Sequence, residues 1–532
     1  MVRFFAFSFI YFFSFFLSAS ENNELNYFIK FDHLKKGCLT IRSSIPTNQR
    51  GEITIKFPPK GISSFNVSPH FIDAQDISAF SKKFVFKETR NAIFEYDLCM
   101  SNSEYHADFP VINSGYVYLL PLTSFIIPQD DLVKKRDIKI FLKNPPENFK
   151  FISSQGPLEE ELSFSCRLND FLTFVLIGTK HKINSDRLNG RSIFSIHANK
   201  KKQLSRKNRE KIKDIILFQE ALFKNKSDEP LLLNFMSSKS TPYLFARNFN
   251  NTLVLTAPFY EKEDVLIRAF SHEHFHNWIG IKLRASDLNS LLWFIEGIDD
   301  YFGLVTAYKA KALSGLEYIN NVNQLLRHYY LSPLSKLSYG DLIKNSKIDF
   351  HHSQIIQMRG HLLGMILQDA DQPEVAKYSL AKMLNIIIQD VNSEYLVLTP
   401  KSVEDYFIQA FSKSKWLKIK YFLDTGDGLD LPSQLDKLPF RLTNVKVHAP
   451  KYGFNLKSFF EERKIQCLDL KSIAYQAGLR NGMEVLEYNL RLSEPHQKVK
   501  IIVKDTDGTK MIEFTPDSEF TVVPQYISAW NR

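Results

Sequence analysis

The stretch that most constrains this 532-residue chain is SHEHFHNW, residues 271–278. On a helix, His272 and His276 lie four residues apart and share one face. Glu273 lies beside that pair, whereas His274 projects about 160° away from it and is a bystander. The fold must therefore present two imidazoles and a carboxylate from a single helical turn.

This H-E-x-x-H spacing is typical of zinc sites in which both imidazoles bind the metal and the glutamate is the general base. A catalytic zinc ion needs a third protein ligand and an open position. Glu296, in LLWFIEGIDDYF, follows His276 by twenty residues and is a carboxylate within an apolar stretch, where it needs a partner. We predict one zinc ion per chain held by His272, His276 and Glu296, with Asp300 accepting an N–H from a ligating histidine. The alternative is an amphipathic helix with coincidental histidines and a surface Glu296.

The first twenty residues predict export. A basic start, Met1–Arg3, precedes the apolar run Phe4–Leu17, and Ser18–Ser20 offers small residues for cleavage after Ser20. The run is shorter than the roughly 20 residues of a membrane span, and an uncleaved anchor is the alternative. No later stretch reaches 18 apolar residues, so we expect a periplasmic or secreted protein without a stable membrane span after cleavage.

The net charge of +10 has its densest source in the basic run Lys200–Lys213. A nucleic-acid surface is one interpretation of this run. Apolar residues follow at helical spacing, which favours the solvated face of a helix instead; they are Ile212, Ile215, Ile216 and Leu222. Since no nucleic-acid-binding motif accompanies the run, we expect no nucleic-acid partner.

Four scattered cysteines, without a CxxC pair, exclude a zinc ribbon. In an oxidising compartment one pair among Cys38, Cys99 and Cys166 is expected to be bridged, and the sequence leaves the pair open.

The order of patterns along the sequence predicts a multidomain α+β protein. Residues 21–150 are strand-like, with segments such as Glu52–Phe57 and Tyr116–Leu122. Residues 151–330 are mixed, and 331–430 are helical. The Gly- and Asp-rich linker Asp424–Pro432 precedes a β-rich segment over 440–532.

The motifs together resemble one known family. HEHFHNWIGIKLR followed by LLWFIEGIDDYFG is similar to the glycyl aminopeptidases, gluzincin metallopeptidases with the signature HExFHxWNxKRxR and then LWxxEGxTxYY. RGHLLGMILQD is similar to that family's KGxLVxxLLD helix, and SIAYQAGLRNGMEVL to its C-terminal PDZ domain. The resemblance implies an N-terminal β domain, a thermolysin-like catalytic domain with helical closure, and a PDZ-like β domain.

The same resemblance assigns a loop in the terminal domain. KYGFNL, which contains Tyr452, Gly453 and Phe454, stands where a PDZ domain binds a peptide carboxylate. An extended peptide or the carboxyl terminus of a protein would bind there by strand addition. The alternative is that this domain is a packing module.

Two departures from the family concern the substrate. The family tyrosine that hydrogen-bonds the developing oxyanion corresponds to Gln357, whose amide can donate a hydrogen bond; His351 and His352 are the alternatives. The family glutamate that binds a substrate's N-terminal amine has no acidic counterpart in Tyr243–Leu255, where Arg247 occupies the neighbourhood. A cation there would repel a free amine.

We therefore predict an exported zinc-dependent peptidase that hydrolyses peptide bonds of a peptide or protein substrate, with Glu273 as general base; an aminopeptidase with altered specificity is one form of it. The alternative is a weakened or inactive homologue that binds peptides as a scaffold through its PDZ domain. The intact ligand set and Glu273 favour the enzyme, because a binding protein has no use for a base beside the metal.

Overall fold

The computed structural model describes residues 24–68, 70–87, 91–100, 105–129, 133–199, 204–224, 226–238, 244–258, 261–347, 349–368, 379–391, 395–433, 440–506 and 508–528. The predicted signal peptide, residues 1–20, lies outside the described residues. The protein divides into two compact units, Met1–Asn102 with Asp108–Lys180, and Ser103–Ala107 with His181–Arg532. Among the described residues, no helix is both long and apolar enough to cross a bilayer.

The first unit consists of strands with short helical connections. Its strands are β1 (Glu24–Lys30), β2 (Cys38–Pro46), β3 (Glu52–Lys56), β4 (Ile62–Val67), β5 (Phe71–Ser78), β6 (Ser81–Phe86), β7 (Asn91–Cys99), β8 (Val111–Asn113), β9 (Tyr116–Leu119), β10 (Ile127–Pro128), β11 (Lys135–Lys143), β12 (Lys150–Ser153), β13 (Gly156–Leu158), β14 (Glu161–Arg167) and β15 (Leu176–Thr179). Its helical elements are the 3₁₀ turn Leu34–Lys36, α1 (Pro121–Ser124) and α2 (Leu168–Phe171).

These strands form three sheets, in the orders β14-β11-β1-β2-β7-β4, β10-β3-β6-β5 and β13-β12-β15-β9-β8. The alternation of apolar and polar residues explains how a sheet covers a core. In β1, for example, Leu25, Tyr27 and Ile29 are buried, and their sequence neighbours are half-buried. The predicted N-terminal β-rich domain is present.

The first unit extends to Lys180, beyond the predicted boundary at residue 150. The reason is strand pairing: β14 pairs with β11, and β15 pairs with both β12 and β9. A local pattern cannot reveal such pairing, because the partners are distant in sequence.

A disulfide joins Cys38 to Cys99, which lie opposite each other on β2 and β7. Cys166 is free. The expectation of one bridge among the first three cysteines is confirmed, and the pair is now assigned.

The second unit carries the remaining elements. Its strands are β16 (Asn184–Leu188), β17 (Arg191–His197), β18 (Leu231–Ser238), β19 (Phe245–Asn248), β20 (Thr252–Pro258), β21 (Leu283–Ala285), β22 (Leu396–Leu398), β23 (Phe440–Lys451), β24 (Glu484–Tyr488), β25 (Val499–Asp505), β26 (Gly508–Phe514) and β27 (Asp517–Ser528). Its helices are α3 (Arg206–Leu222), α4 (Glu263–Phe275), α5 (Leu288–Leu292), α6 (Asp299–Lys309), α7 (Gly315–Leu331), α8 (Tyr339–Asn345), α9 (Phe350–Gln368), α10 (Leu380–Gln389), α11 (Pro400–Phe411), α12 (Lys413–Thr425), α13 (Leu456–Glu461) and α14 (Ile473–Gln476). A π-helical segment, Trp293–Ile298, leads into α6, and a 3₁₀ turn spans Pro333–Lys336.

A five-stranded sheet in the order β16-β17-β18-β20-β19 supports the helices. β17, β18 and β20 are parallel, and β19 is an antiparallel edge strand. Helix α3 carries the part of the basic run from Arg206 to Lys213 and buries Ile212, Ile215 and Ile216, as the helical spacing predicts. One continuous core runs from this sheet through the helices to the C-terminal strands.

The C-terminal module, residues 440–528, is β-rich as predicted. β23 pairs with β27 along its whole length, and β24, β25 and β26 form a three-stranded sheet. The assignment of a PDZ domain to this module stays a prediction.

Candidate metal centre

Helix α4 presents the two imidazoles. Leu266, Ile267 and Phe270 bury one side of the helix against the core. His272 lies in the last turn, and His276 is the C-terminal cap residue. The two rings lie edge to face with centroids 4.8 Å apart, so they share the face that the four-residue spacing predicts.

Glu296 reaches the imidazoles from the π-helical segment. Its Oε2 lies 3.6 Å from Nε2 of His272 and 3.7 Å from Nε2 of His276. The segment packs backbone to backbone on α9: a Cβ added at Gly360 would lie 1.8 Å from the carbonyl oxygen of Trp293. Two glycines, Gly297 and Gly360, thus permit the close approach that holds Glu296 in place.

The three side chains fit a zinc ion. One donor atom from each of His272, His276 and Glu296 lies within 4.8 Å of the other two. Ligands at the roughly 2.0–2.2 Å distance that zinc prefers with nitrogen and oxygen are separated by roughly 3.3–3.6 Å around a tetrahedron, close to the observed 3.6 and 3.7 Å. All three side chains remain partly exposed, which leaves room for a fourth ligand.

The electrostatics of the cluster favour a cation. Burial alone would raise the pKa of Glu296, but the hydrogen bond from His272 and the charges of both histidines outweigh burial and lower it to about 2. Burial alone would lower the pKa of His272, but the charge of Asp299 and the contact with Glu296 raise it to about 10. The imidazoles therefore sit in a strongly negative environment, which suits a bound cation.

Asp299, rather than Asp300, is the acid nearest the Nδ1 atoms of the two rings, which lie opposite the Nε2 atoms that face Glu296. Its Oδ2 lies 3.2 Å from Nδ1 of His272, and its Oδ1 lies 3.4 Å from Nδ1 of His276. Burial raises the pKa of Asp299, and although the two histidine charges oppose the rise, the pKa reaches about 8. Asp300 lies farther away, with its Oδ1 3.7 Å from Nδ1 of His272.

Asp300 has other partners. It accepts two hydrogen bonds from Arg268, at 3.0 and 3.2 Å, and lies 2.7 Å from Nδ1 of His361. The prediction chose Asp300 by counting one α-helical turn from Glu296. A count along one helix does not show which ring nitrogen an acid reaches, and the structure places Asp299, not Asp300, nearest Nδ1 of both histidines.

Glu273 lies beside the two imidazoles. Its side chain is buried, and its charge acts to raise the pKa of both His272 and His276. Its backbone carbonyl accepts a hydrogen bond from the Asn248 side chain at 2.7 Å, which fixes α4 to the edge strand β19. The placement suits a proton-transfer role.

His274 points away from the cluster. Its Nδ1 lies 2.7 Å from Oε1 of Gln219, whose Nε2 donates to Ser271 and Thr306. The ring also packs edge to face on Trp278. His274 is thus a buried structural residue, as its helical phase indicates.

The oxyanion candidates differ in where they lie. Gln357 is half-buried on α9, and its backbone carbonyl faces Gly297. His351 is buried and lies 3.0 Å from Asp349 and 2.7 Å from the Tyr488 hydroxyl. Nδ1 of His352 lies 3.2 Å from the Asp349 carbonyl oxygen. Both histidines contact Asp349, so Gln357 stays the predicted hydrogen-bond donor to the oxyanion.

Arg247 lies on β19, next to Asn248. Its side chain is exposed, and its charge contributes to the low pKa of Glu296. Asn248 also donates to Asn277 at 3.1 Å. The strand that carries Arg247 is therefore anchored both to Glu273, in the last turn of α4, and to Asn277, just after that turn. The structure thus places Arg247 on the strand that borders the metal centre.

The predicted carboxylate loop has inward-facing side chains. Tyr452 is buried and donates to the carbonyl of Arg491 at 2.9 Å, and Phe454 stacks on Phe459. The Gly453 carbonyl accepts a hydrogen bond from the Asp469 amide at 2.7 Å. The side chains of Tyr452 and Phe454 are therefore packed within the C-terminal module and are not directed at a peptide.

Comparison with known proteins bears on the metal-centre segment. Residues 265–338 match the model of the M61 glycyl aminopeptidase family. The resemblance to that family is confirmed. The match spans both ligand motifs, from α4 through Glu296. With the His–His–Glu cluster it supports a metallopeptidase.

One solved structure has a similar fold over most of the chain. An aminopeptidase N family protein from Idiomarina loihiensis is 13% identical, with a TM-score of 0.69 over 94% of this chain and 98% of that one. An M1 zinc metallopeptidase from Deinococcus radiodurans, bound to Tyr-Ser-Ala, is 11% identical with a TM-score of 0.48, over 77% of this chain and 95% of that one. Among curated proteins, none matches. The first likeness establishes a mixed α/β architecture with an N-terminal β-rich domain and a helical region.

Proposed function

We propose that this protein is an exported zinc-dependent peptidase whose active site is the His272–His276–Glu296 cluster with Glu273. The observation that carries the proposal is the convergence of three metal donors within 4.8 Å, directly beside a buried carboxylate on the same helical turn. The family match over residues 265–338 supports a peptidase. The disulfide between Cys38 and Cys99 supports an oxidising compartment.

Each residue of the cluster has a separate proposed role. Zinc, when bound by His272, His276 and Glu296, supplies Lewis acidity toward the substrate carbonyl and lowers the pKa of water. The Glu273 carboxylate accepts the proton of the attacking water and passes it to the leaving amine. Gln357 is the proposed hydrogen-bond donor to the developing oxyanion.

Arg247 is proposed to set the specificity. A guanidinium beside the cluster repels a free N-terminal amine, attracts an acidic end and does not repel an uncharged one. The enzyme is therefore expected to cleave N-acetylated peptides at least as well as free ones, unlike a strict aminopeptidase.

The experiment compares cleavage of one peptide library with free and with acetylated N-termini. Arg247→Glu should shift the preference toward free amines by about tenfold or more, because the local charge is reversed. Arg247→Gln is the matched control and should give an intermediate preference. If chelator-treated and zinc-loaded wild type both leave every peptide intact, the peptidase proposal fails; if cleavage occurs but Arg247→Glu does not change the preference, only the specificity proposal fails.

At the C-terminal module, peptide binding by strand addition is proposed to use backbone groups near Gly453. The inward packing of Tyr452 and Phe454 equally suits the packing-module alternative.

A further inference from the structure

Asp299 is the most completely buried acid of the metal centre. It is the first residue of α6, and none of its side chain is exposed. Within the described part of the protein, neither of its carboxylate oxygens has a hydrogen-bond partner of good geometry. Burying a carboxylate in this way is costly unless a compensating charge is nearby. The arrangement therefore requires an explanation.

Asp299 is in ion-pair contact with two polar atoms, Nδ1 of His272 and Nδ1 of His276. Among the described residues it has no other such contact. For His276, Nδ1 also lies 2.9 Å from the carbonyl oxygen of Ile279, which can only accept, so that nitrogen carries a proton. For His272, Nδ1 has no such carbonyl and no other hydrogen-bond partner among the residues that the structure describes. Asp299 is the nearest acceptor, at 3.2 Å, ahead of Asp300 at 3.7 Å.

An imidazole binds a metal through one nitrogen only if the proton is held on the other. A group that accepts the Nδ1 proton of His272 therefore leaves the Nε2 lone pair directed toward Glu296. Ile279 supplies this acceptor for His276, and the corresponding acceptor for His272 must come from a side chain. Asp300 is occupied by Arg268 and His361, so it does not fill that role.

We propose that Asp299 is a positioning residue of the zinc site. It holds the proton of His272 on Nδ1, and because it lies against both rings it orients their Nε2 atoms toward Glu296. The proposal rests on the proposed zinc site and adds to it a carboxylate shared by two ligands. Asp299 itself touches neither substrate nor metal.

The test compares Asp299→Asn and Asp299→Ala with wild type in the full mature protein. Zinc affinity is measured by competition with a chelator, and the thermal midpoint is measured on the metal-free and zinc-loaded forms. Loss of an outer-shell partner typically lowers metal affinity by about 10- to 100-fold, and that loss is expected for both variants. The metal-free midpoint should fall less than in the Asp300→Asn control, because neither oxygen of Asp299 has a hydrogen bond of good geometry to lose.

The matched control is Asp300→Asn. Since Asp300 accepts hydrogen bonds from Arg268, this variant should lower the metal-free midpoint, yet change zinc affinity less than Asp299→Asn does. Cobalt-loaded samples give a second readout, because their visible spectrum reports the ligand geometry.

A zinc dissociation constant within twofold of wild type in both Asp299 variants would overturn the proposal. So would a metal-free midpoint that falls as far as in Asp300→Asn, since that is the signature of a purely structural residue. If wild type itself binds no zinc, the proposed function fails instead, so the two failures are distinguishable.

Discussion

At the scale of single residues, neighbouring histidines on one helix have opposite properties. Burial and then the charge of Arg191 lower the pKa of His274 to about 3, so this ring is neutral. Burial acts in the same direction on His272, but the charge of Asp299 and its other acidic neighbours raise the pKa to about 10. The difference arises from what each ring faces: Gln219 for His274 and carboxylates for His272. The carboxylates thus give His272, and not His274, the negative surroundings that suit a bound cation.

The residue types around the metal centre also separate ligands from supports. Glu296 is partly exposed and directed at Nε2 atoms, whereas Asp299 is fully buried and directed at Nδ1 atoms. Asp300 ties α6 to α4 through Arg268 and to α9 through His361. Glu296, Asp299 and Asp300 thus lie within five residues of sequence but make three different kinds of contact.

At the scale of elements, the metal centre depends on the close contact between the π-helical segment and α9. Gly360→Ala would place a methyl group 1.8 Å from the Trp293 carbonyl oxygen, so the two elements must separate. We expect the variant to lose about 2 kcal/mol or more of unfolding free energy and to bind zinc more weakly, because Glu296 moves with its segment. Chemical denaturation and zinc titration measure both effects.

The matched control is Gly340→Ala in α8. The nearest atom to the added methyl group there is the Ser338 hydroxyl at 3.9 Å, so space is available. Alanine is a better helix former than glycine by about 1 kcal/mol, and this variant should be as stable as wild type or more so. Equal losses in both glycine variants would contradict the proposed role of the helix contact.

Some elements were predictable from sequence and others were not. The spacing of His272 and His276 predicts a helix with a common face, and α4 has it. The position of Glu296 was predictable as a carboxylate needing a partner in an apolar stretch, although its π-helical conformation was not, because that conformation depends on α9. The part played by Asp299 was not predictable either, because it depends on how the start of α6 lies against α4 and a count from Glu296 leads to Asp300.

At the scale of the whole second unit, the C-terminal module is joined to the helices by a buried polar cluster. Asp349, just before α9, accepts hydrogen bonds from Arg463 at 2.9 Å and from the Tyr488 hydroxyl. Oδ1 of Asp349 also accepts from the His351 amide and lies 3.0 Å from its ring. Burial alone would raise the pKa of Asp349, but the hydrogen bonds from His351 and Tyr488 lower it to about 2.

A lowered folded-state pKa gives a defined pH dependence. The stabilisation by Asp349 should be fully present above about pH 4 and lost as the pH falls toward about 2, because the unfolded carboxyl takes up its proton first. Asp349→Asn should therefore lower the unfolding free energy by about 3 kcal/mol at pH 7, and the difference from wild type should shrink below pH 4. Urea denaturation at several pH values measures this.

Asp405→Asn is the control for that series. It breaks an exposed ion pair with Lys401 and should change stability by less than about 1 kcal/mol. A difference between Asp349→Asn and wild type that is the same at pH 2 and pH 7 would show that the carboxylate charge is not what joins the module to the helices.

The whole-molecule account, a zinc peptidase with Glu273 as its general base, is tested most directly by Glu273→Gln. The substitution keeps the shape of the side chain and removes its ability to accept a proton. We expect zinc content to stay at about one ion per molecule while the rate of peptide cleavage falls by about 10²- to 10⁴-fold. A variant that cleaves as fast as wild type, or a wild type as inactive as the variant, would contradict the account and favour the peptide-binding scaffold.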